Sequence, residues 1–231
     1  MKKTLYSRFM WGYICIGILC FFLITVGGSY MIERYLEHNI SDNLYQEANR
    51  LASEEVVLDA LSSENLDELQ HTLSVISEYQ DSIIWIMNNR GEILLSTRRD
   101  ISPENPILLQ DFDPTMWGST YYQVGNFYGY FPENRLSVIA PITADMTTKG
   151  YVAVHYLMSN LYQDRGGILM ILQSMFVLVY SATFLLLLYH RRFIQKPLEQ
   201  ITKGAAEYAN GNLSYQIPVT SSDEIGYLAT H

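Results

Sequence analysis

The side chains able to do chemistry are few, and their spacing is poor for it. Histidines stand at His38, His71, His155, His190 and His231. None pairs with a cysteine and no two fall at a spacing that grips a metal ion. Cys15 and Cys20 lie five positions apart in one apolar run, where side chains on a helix do not face each other for a disulfide, so they read as small apolar residues of a membrane helix. Binding chemistry is what remains. Arg98 and Arg99 follow a hairpin-like stretch, and a guanidinium there can meet a carboxylate through paired hydrogen bonds. Downstream, Trp117, Tyr121, Tyr122, Phe127, Tyr128, Tyr130 and Phe131 crowd one segment between glycines. Such a set suits a small-ligand pocket and equally suits a core. Arg98, Arg99, Tyr121, Tyr122 and Tyr128 are the pocket candidates; plain packing is the competing reading and the simpler one, and no ligand is named.

The elements that must position these residues are set by where the apolar residues pile up. Residues 9–32 and 166–189 are each free of formal charge, and a helix needs only about 20 apolar residues to cross the hydrocarbon core of a membrane. The expected order is a tail over residues 1–8, a span over 9–32, a water-exposed domain over 33–165, a second span over 166–190, and a last segment over 191–231. A cleaved signal peptide is the competing reading of the N-terminus; the length of the apolar stretch and the helical pattern continuing past it count against that. Lys2, Lys3 and Arg8 precede the first span, while Arg191, Arg192 and Lys196 follow the second, which predicts both ends in the cytoplasm and residues 33–165 outside. That middle domain carries 20 acidic against 8 basic residues within a chain of net charge -9. Nucleic acid is therefore not an expected partner, whereas the lipid bilayer is.

Within residues 33–165, Leu36, Ile40, Leu44, Ala48, Leu51, Leu58 and Leu61 recur at helical spacing. No proline interrupts residues 1–79, so the span and this stalk are expected to form a nearly continuous rod. A second helix is predicted from near Ser63, with Ser63, Asn65 and Asp67 as capping residues, through Leu66, Leu69, Leu73 and Ile76. A hairpin over residues 83–97 follows, then irregular chain around Pro103, Pro106 and Pro114 with a short helix at residues 107–111. Strands are expected at residues 126–131, 135–142 and 150–156, parted by loops at 132–134 and 143–149, as in a meander. This order, with the fragments IIWIMNNRGEILLST and LSVIAPITADMTTKGYVAVHY, resembles the extracytoplasmic PAS-like or Cache sensor domains of bacterial receptors. The resemblance implies an α+β fold, a long N-terminal helix on a five-stranded antiparallel sheet, and an unknown extracellular ligand. A four-helix-bundle sensor is the alternative, disfavoured by the strand-rich half.

Beyond the second span, Ile194, Leu198, Ile201, Ala205 and Tyr208 are spaced four, three, four and three. One helix cannot bury such a heptad seam, so a homodimer is expected. Pro197 marks a joint near the start of this helix, and Asn210 with Gly211 suits its end. Leu213 and Ile217 are the apolar residues of the connector that follows. Ser221 and Ser222 can cap a second helix, with Asp223 and Glu224 at its positive end. The stretch RRFIQKPLEQITKGAAEYANGNLSYQIPVTSSDEIGYLA resembles a HAMP domain. That resemblance implies a parallel four-helix bundle, two helices from each protomer, with two packings between which a signal switches. It also makes Glu224 and Ile225, in the DEIG run, part of the coupling between the helices.

The chain stops part-way through the second relay helix, and no kinase, cyclase or chemoreceptor motif is present. The expectation is the sensor half of a two-component histidine kinase. A phosphoprotein kinase domain, its ATP and Mg, and a cytoplasmic response regulator belong to the full-length protein, and the fragment itself holds no cofactor and catalyses nothing. A chemotaxis receptor, a diguanylate cyclase and a stand-alone membrane binding protein are the alternatives.

Overall fold

A run of apolar residues in lipid leaves backbone amides no partner but one another, and helix is the local solution. In the computed structural model, which describes residues 5–60, 67–98, 101, 107–117, 121–218 and 224–230, α1 (Leu5–Leu23) leads into a π-helical turn at Ile24–Gly28. Then come α2 (Ser29–Ala52), α3 (Glu55–Ala60) and α4 (Asp67–Tyr79). Six strands follow: β1 (Ser82–Asn88), β2 (Glu92–Ser96), β3 (Ile107–Leu108), β4 (Tyr122–Gly125), β5 (Arg135–Ala144) and β6 (Thr147–Leu157). The chain closes with α5 (Met158–His190), a second π-helical turn at Arg191–Gln195, α6 (Lys196–Ala209) and α7 (Glu224–Thr230). It divides into two compact units, Gly28–Leu169 on one side and Met1–Gly27 with Met170–His231 on the other.

In the unit Gly28–Leu169 the strands form one antiparallel sheet in the order β3-β2-β1-β6-β5-β4. Alternation divides the core between its faces. Ile84, Ile86, Leu136, Val138, Val152 and Val154 point to one face, where Leu44, Ala48 and Leu51 of α2 and Leu69 and Leu73 of α4 pack on them. Ile83, Trp85, Met87 and Ala153 point to the other, which is covered by Ile101, Leu109, Phe127 and Phe131. β1 lies between two strands under cover on both faces, which is why its sequence SIIWIMN is apolar almost throughout.

Several expectations are corrected here. The stalk helix does not run on to Leu58: Ser53 ends α2, its Oγ donating to Asn49 O at 2.7 Å, and a hydroxyl that bonds its own backbone competes with helix continuation. Residues 126–131 are not a strand, since Phe127, Tyr128 and Gly129 have φ of 43°, 52° and 77°, the left-handed region that no strand admits. The strand lies just before, at β4, and the turn swings Phe127 and Phe131 onto Trp85, ring centroids 5.7 and 5.0 Å away. Residues 107–111 form no helix either. Ile107 and Leu108 pair with Ile93 and Glu92 at the sheet edge, giving six strands where five were expected. The loop at 143–149 is a tight hairpin turn at Asp145 and Met146, both at positive φ. Leu61, Ser63, Asn65, Leu66, Pro103 and Pro106 lie outside the described residues.

In the other unit, α1 and the later part of α5 are each long and apolar enough to cross a membrane. Tyr13 and Tyr180 stack with ring centroids 4.4 Å apart. Tyr13 Oη donates to Tyr180 O at 2.5 Å, and Tyr180 Oη donates to Tyr13 O at 2.8 Å. Gly17 makes room for this pair, because a Cβ there would collide with the Tyr180 ring. Gln173 Nε2 adds a bond to Thr25 Oγ1 at 3.1 Å. Outward-facing Phe9, Phe22, Leu178 and Leu186 remain exposed, the condition of a helix pair whose solvent is lipid.

Candidate functional site

The residues singled out as a pocket are divided among separate places: Tyr121 and Tyr122 lie together, ring centroids 5.6 Å apart, and apart from Tyr128 and Arg98. Tyr121 donates its hydroxyl to Asp42 of α2, bonds His38 Nδ1 at 3.2 Å and packs on Tyr45. Tyr122 packs against the core on that same helix-covered face. Tyr128 lies on the opposite face, its hydroxyl donating to Asp113 O at 3.0 Å. Arg98, just past β2, lines a cleft of about 400 Å³ with Arg135, Ser82 and Thr97. Arg99 is outside the described residues. Phe127, Tyr130 and Phe131 pack around Trp85, ring centroids 5.7, 4.8 and 5.0 Å away. Among the described residues no group of His, Cys, Asp or Glu is placed to hold a metal ion.

At the far end of the chain, the backbone enters α6 through the π-helical turn Arg191–Gln195, with Pro197, which has no amide proton to donate, in the first turn of α6. Ile194, Leu198 and Tyr208 are 37%, 42% and 42% exposed. Ala205 is exposed as well and Ile201 half-buried, so the heptad seam is largely uncovered within one chain. α6 ends at Ala209, and Gly211 takes φ 87°, with its amide donating to Tyr208 O at 3.0 Å. The connector then folds back along α6. Tyr208 Oη donates to Tyr215 O at 2.8 Å, and Ile217 seats over Gly204, where a Cβ would collide with Ile217 Cγ1. Residues 191–231 match the HAMP domain family. In this HAMP segment Ile225 is half-buried, Glu224 exposed at the start of α7, and Leu213 80% exposed. Ser221, Ser222 and Asp223 lie outside the described residues.

The HAMP match covers well under half of the chain. No curated protein matches the sequence. Among solved structures, the chain is similar to the sensor domain of the V. cholerae histidine kinase DctB, at 16% identity over 59% of this chain and 57% of that one, with a TM-score of 0.43. It is also similar to the sensory domain of the Campylobacter jejuni chemoreceptor Tlp3, at 12% identity over 62% of this chain and 64% of that one, with a TM-score of 0.38. The chain spans less than two thirds of either structure's length.

Sequence reasoning missed Gly204 and Arg135. The first had a signal, because a glycine inside a helix costs about 1 kcal/mol against alanine and usually has a packing reason. The second had none: strand alternation assigns Arg135 a face, and only the assembled sheet reveals that the guanidinium is buried there.

Proposed function

We propose that this chain is the sensing and relay portion of a dimeric transmembrane histidine kinase. Residues 33–165 take up an extracellular stimulus, α5 carries it across the membrane, and the HAMP segment passes it to a kinase module C-terminal to the relay. That module brings the ATP and Mg and acts on a cytoplasmic response regulator. The observation that carries the reading is the HAMP segment joined to an apolar, membrane-length helix, with a seam of Ile194, Leu198 and Tyr208 left uncovered. A second copy is the natural cover for such a seam.

Basic residues flank both apolar stretches on the sides away from the sheet domain, which supports cytoplasmic ends and an external middle. The arrangement tests directly. Alkaline phosphatase inserted at the Asp145–Met146 turn, where Met146 is fully exposed, is expected to be active, and the same enzyme fused after Ala209 inactive. The reverse pattern overturns the topology and with it the external sensor.

A further inference from the structure

At one end of the sheet, where β1 and β5 begin and β2 and β6 finish, packing leaves polar groups unanswered. Arg135, the first residue of β5, is only 7% exposed, and its Nε has no hydrogen-bond acceptor. Ser82, 6% exposed in the same cleft, has an Oγ that is equally without a partner. The ion pairs among the described residues involve Arg34, Arg50, Arg165 and His38, and none of them includes Arg98 or Arg135. Burial first, and the charge of Arg98 second, weigh against protonation of Arg135, outweighing the opposing charge of Glu133, and the flat face of Arg135 rests 4.5 Å from the Phe131 ring centre. A buried cation beside another cation, with its Nε unbonded, is unfavourable until an anion joins it.

The surrounding groups narrow what that anion is. Thr97 Oγ1 is occupied by the amide of Ile84 at 3.1 Å and by Ser77 Oγ at 2.9 Å, so it serves as wall. Glu78 and Asp81 also line the cleft, and Asp81 Oδ2 already accepts from Asn160 Nδ2 at 3.2 Å. Their negative charge favours a ligand with one compact anionic group over a polyanion. A guanidinium fork matches the oxygens of a carboxylate or phosphate group, and about 400 Å³ accommodates a small solute.

We propose that this cleft binds a small oxyanion, a carboxylate or a phosphate, held by Arg135 and Arg98 with Ser82 Oγ as an additional donor. The inference deepens the functional reading above, since it rests on residues 33–165 being the sensing domain, and it supplies that domain's ligand class.

The test is calorimetric titration of the full chain in lipid nanodiscs with sodium propionate, inorganic phosphate and, as the neutral counterpart, propionamide. At least one anion is expected to bind saturably with Kd at or below roughly 1 mM, and propionamide not at all. Arg98→Gln and Arg135→Gln are each expected to weaken that binding at least about tenfold, the loss of one charge-assisted contact. Absence of binding by both anions, or unchanged affinity in Arg98→Gln, overturns the proposal. The Arg98 variant decides the matter if Arg135→Gln fails to fold. Disulfide crosslinking within α6, followed in the same samples, separates the two readings. Binding that leaves crosslinking unchanged keeps the cleft and removes the relay, whereas crosslinked α6 without any anion binding keeps the relay and removes the cleft.

Discussion

His155 shows how one buried side chain ties stability to pH. It is wholly buried, bonds Ser137 Oγ through Nδ1 at 2.8 Å, and sits 4.3 to 5.0 Å from the rings of Trp85, Phe127 and Phe131. Burial first, and the charge of Arg135 second, hold its imidazole well below the ordinary histidine value, so the folded protein keeps it neutral. An unfolded histidine protonates near pH 6.5, so below that point the unfolded state takes up the proton first, and stability falls by up to about 1.4 kcal/mol per pH unit until the folded value is reached. Urea melts at about pH 7.5 and about pH 5.5 are expected to show this loss, and His155→Gln to flatten it; an unaltered pH slope in the variant would contradict the assignment. Beside it, Trp85→Ala removes the largest side chain of that face and is expected to cost about 3–5 kcal/mol. In the HAMP segment Gly204→Val drives a Cβ into Ile217, an overpacking expected to cost about 1–3 kcal/mol and to loosen the connector in hydrogen exchange.

Elements explain how those residues come to be where they are. In the helix pair, Gly17→Leu must displace the Tyr180 ring, whereas a Cβ added at Gly12 would meet nothing within 4 Å. The Gly17 variant is therefore expected to lower the Tm of the full chain in detergent while Gly12→Leu leaves it unchanged; equal melting of the two would mean that the Tyr13–Tyr180 contact is not a stabilising one. The helices and the central hairpins were legible in the sequence because their signals are local. Charge-free runs, the heptad from Ile194 to Tyr208, and the apolar run, turn and strand-like stretch over residues 83–97 each hold within one segment. The segment from Ile107 to Phe131 was not legible, since its form depends on contacts made at a distance. Phe127 and Tyr128 take left-handed conformations because the turn places Phe127 and Phe131 on Trp85, a residue more than forty positions earlier in the chain. The relay seam could be read as a pattern of residue types. The cleft could not, because Ser82, Arg98 and Arg135 meet only when four strand ends converge.

At the scale of the whole molecule, the sheet domain has its own core on both faces, while the other unit leaves apolar surface uncovered along its helices. Lipid satisfies the spans, but it does not reach a HAMP segment beyond them, and a heptad seam in water calls for a second helix. Pairing of α6 with its copy is thus the central claim. It is tested most directly by single cysteines placed in the full chain lacking Cys15 and Cys20, at Leu198, Ile201 and Ala205 and, away from the seam, at Glu199, Lys203 and Ala206, with oxidation in native membranes. Disulfide-linked dimers are expected at the first three positions and weakly or not at all at the second three. Single subunits at every position, or crosslinking without helical periodicity, would contradict the account.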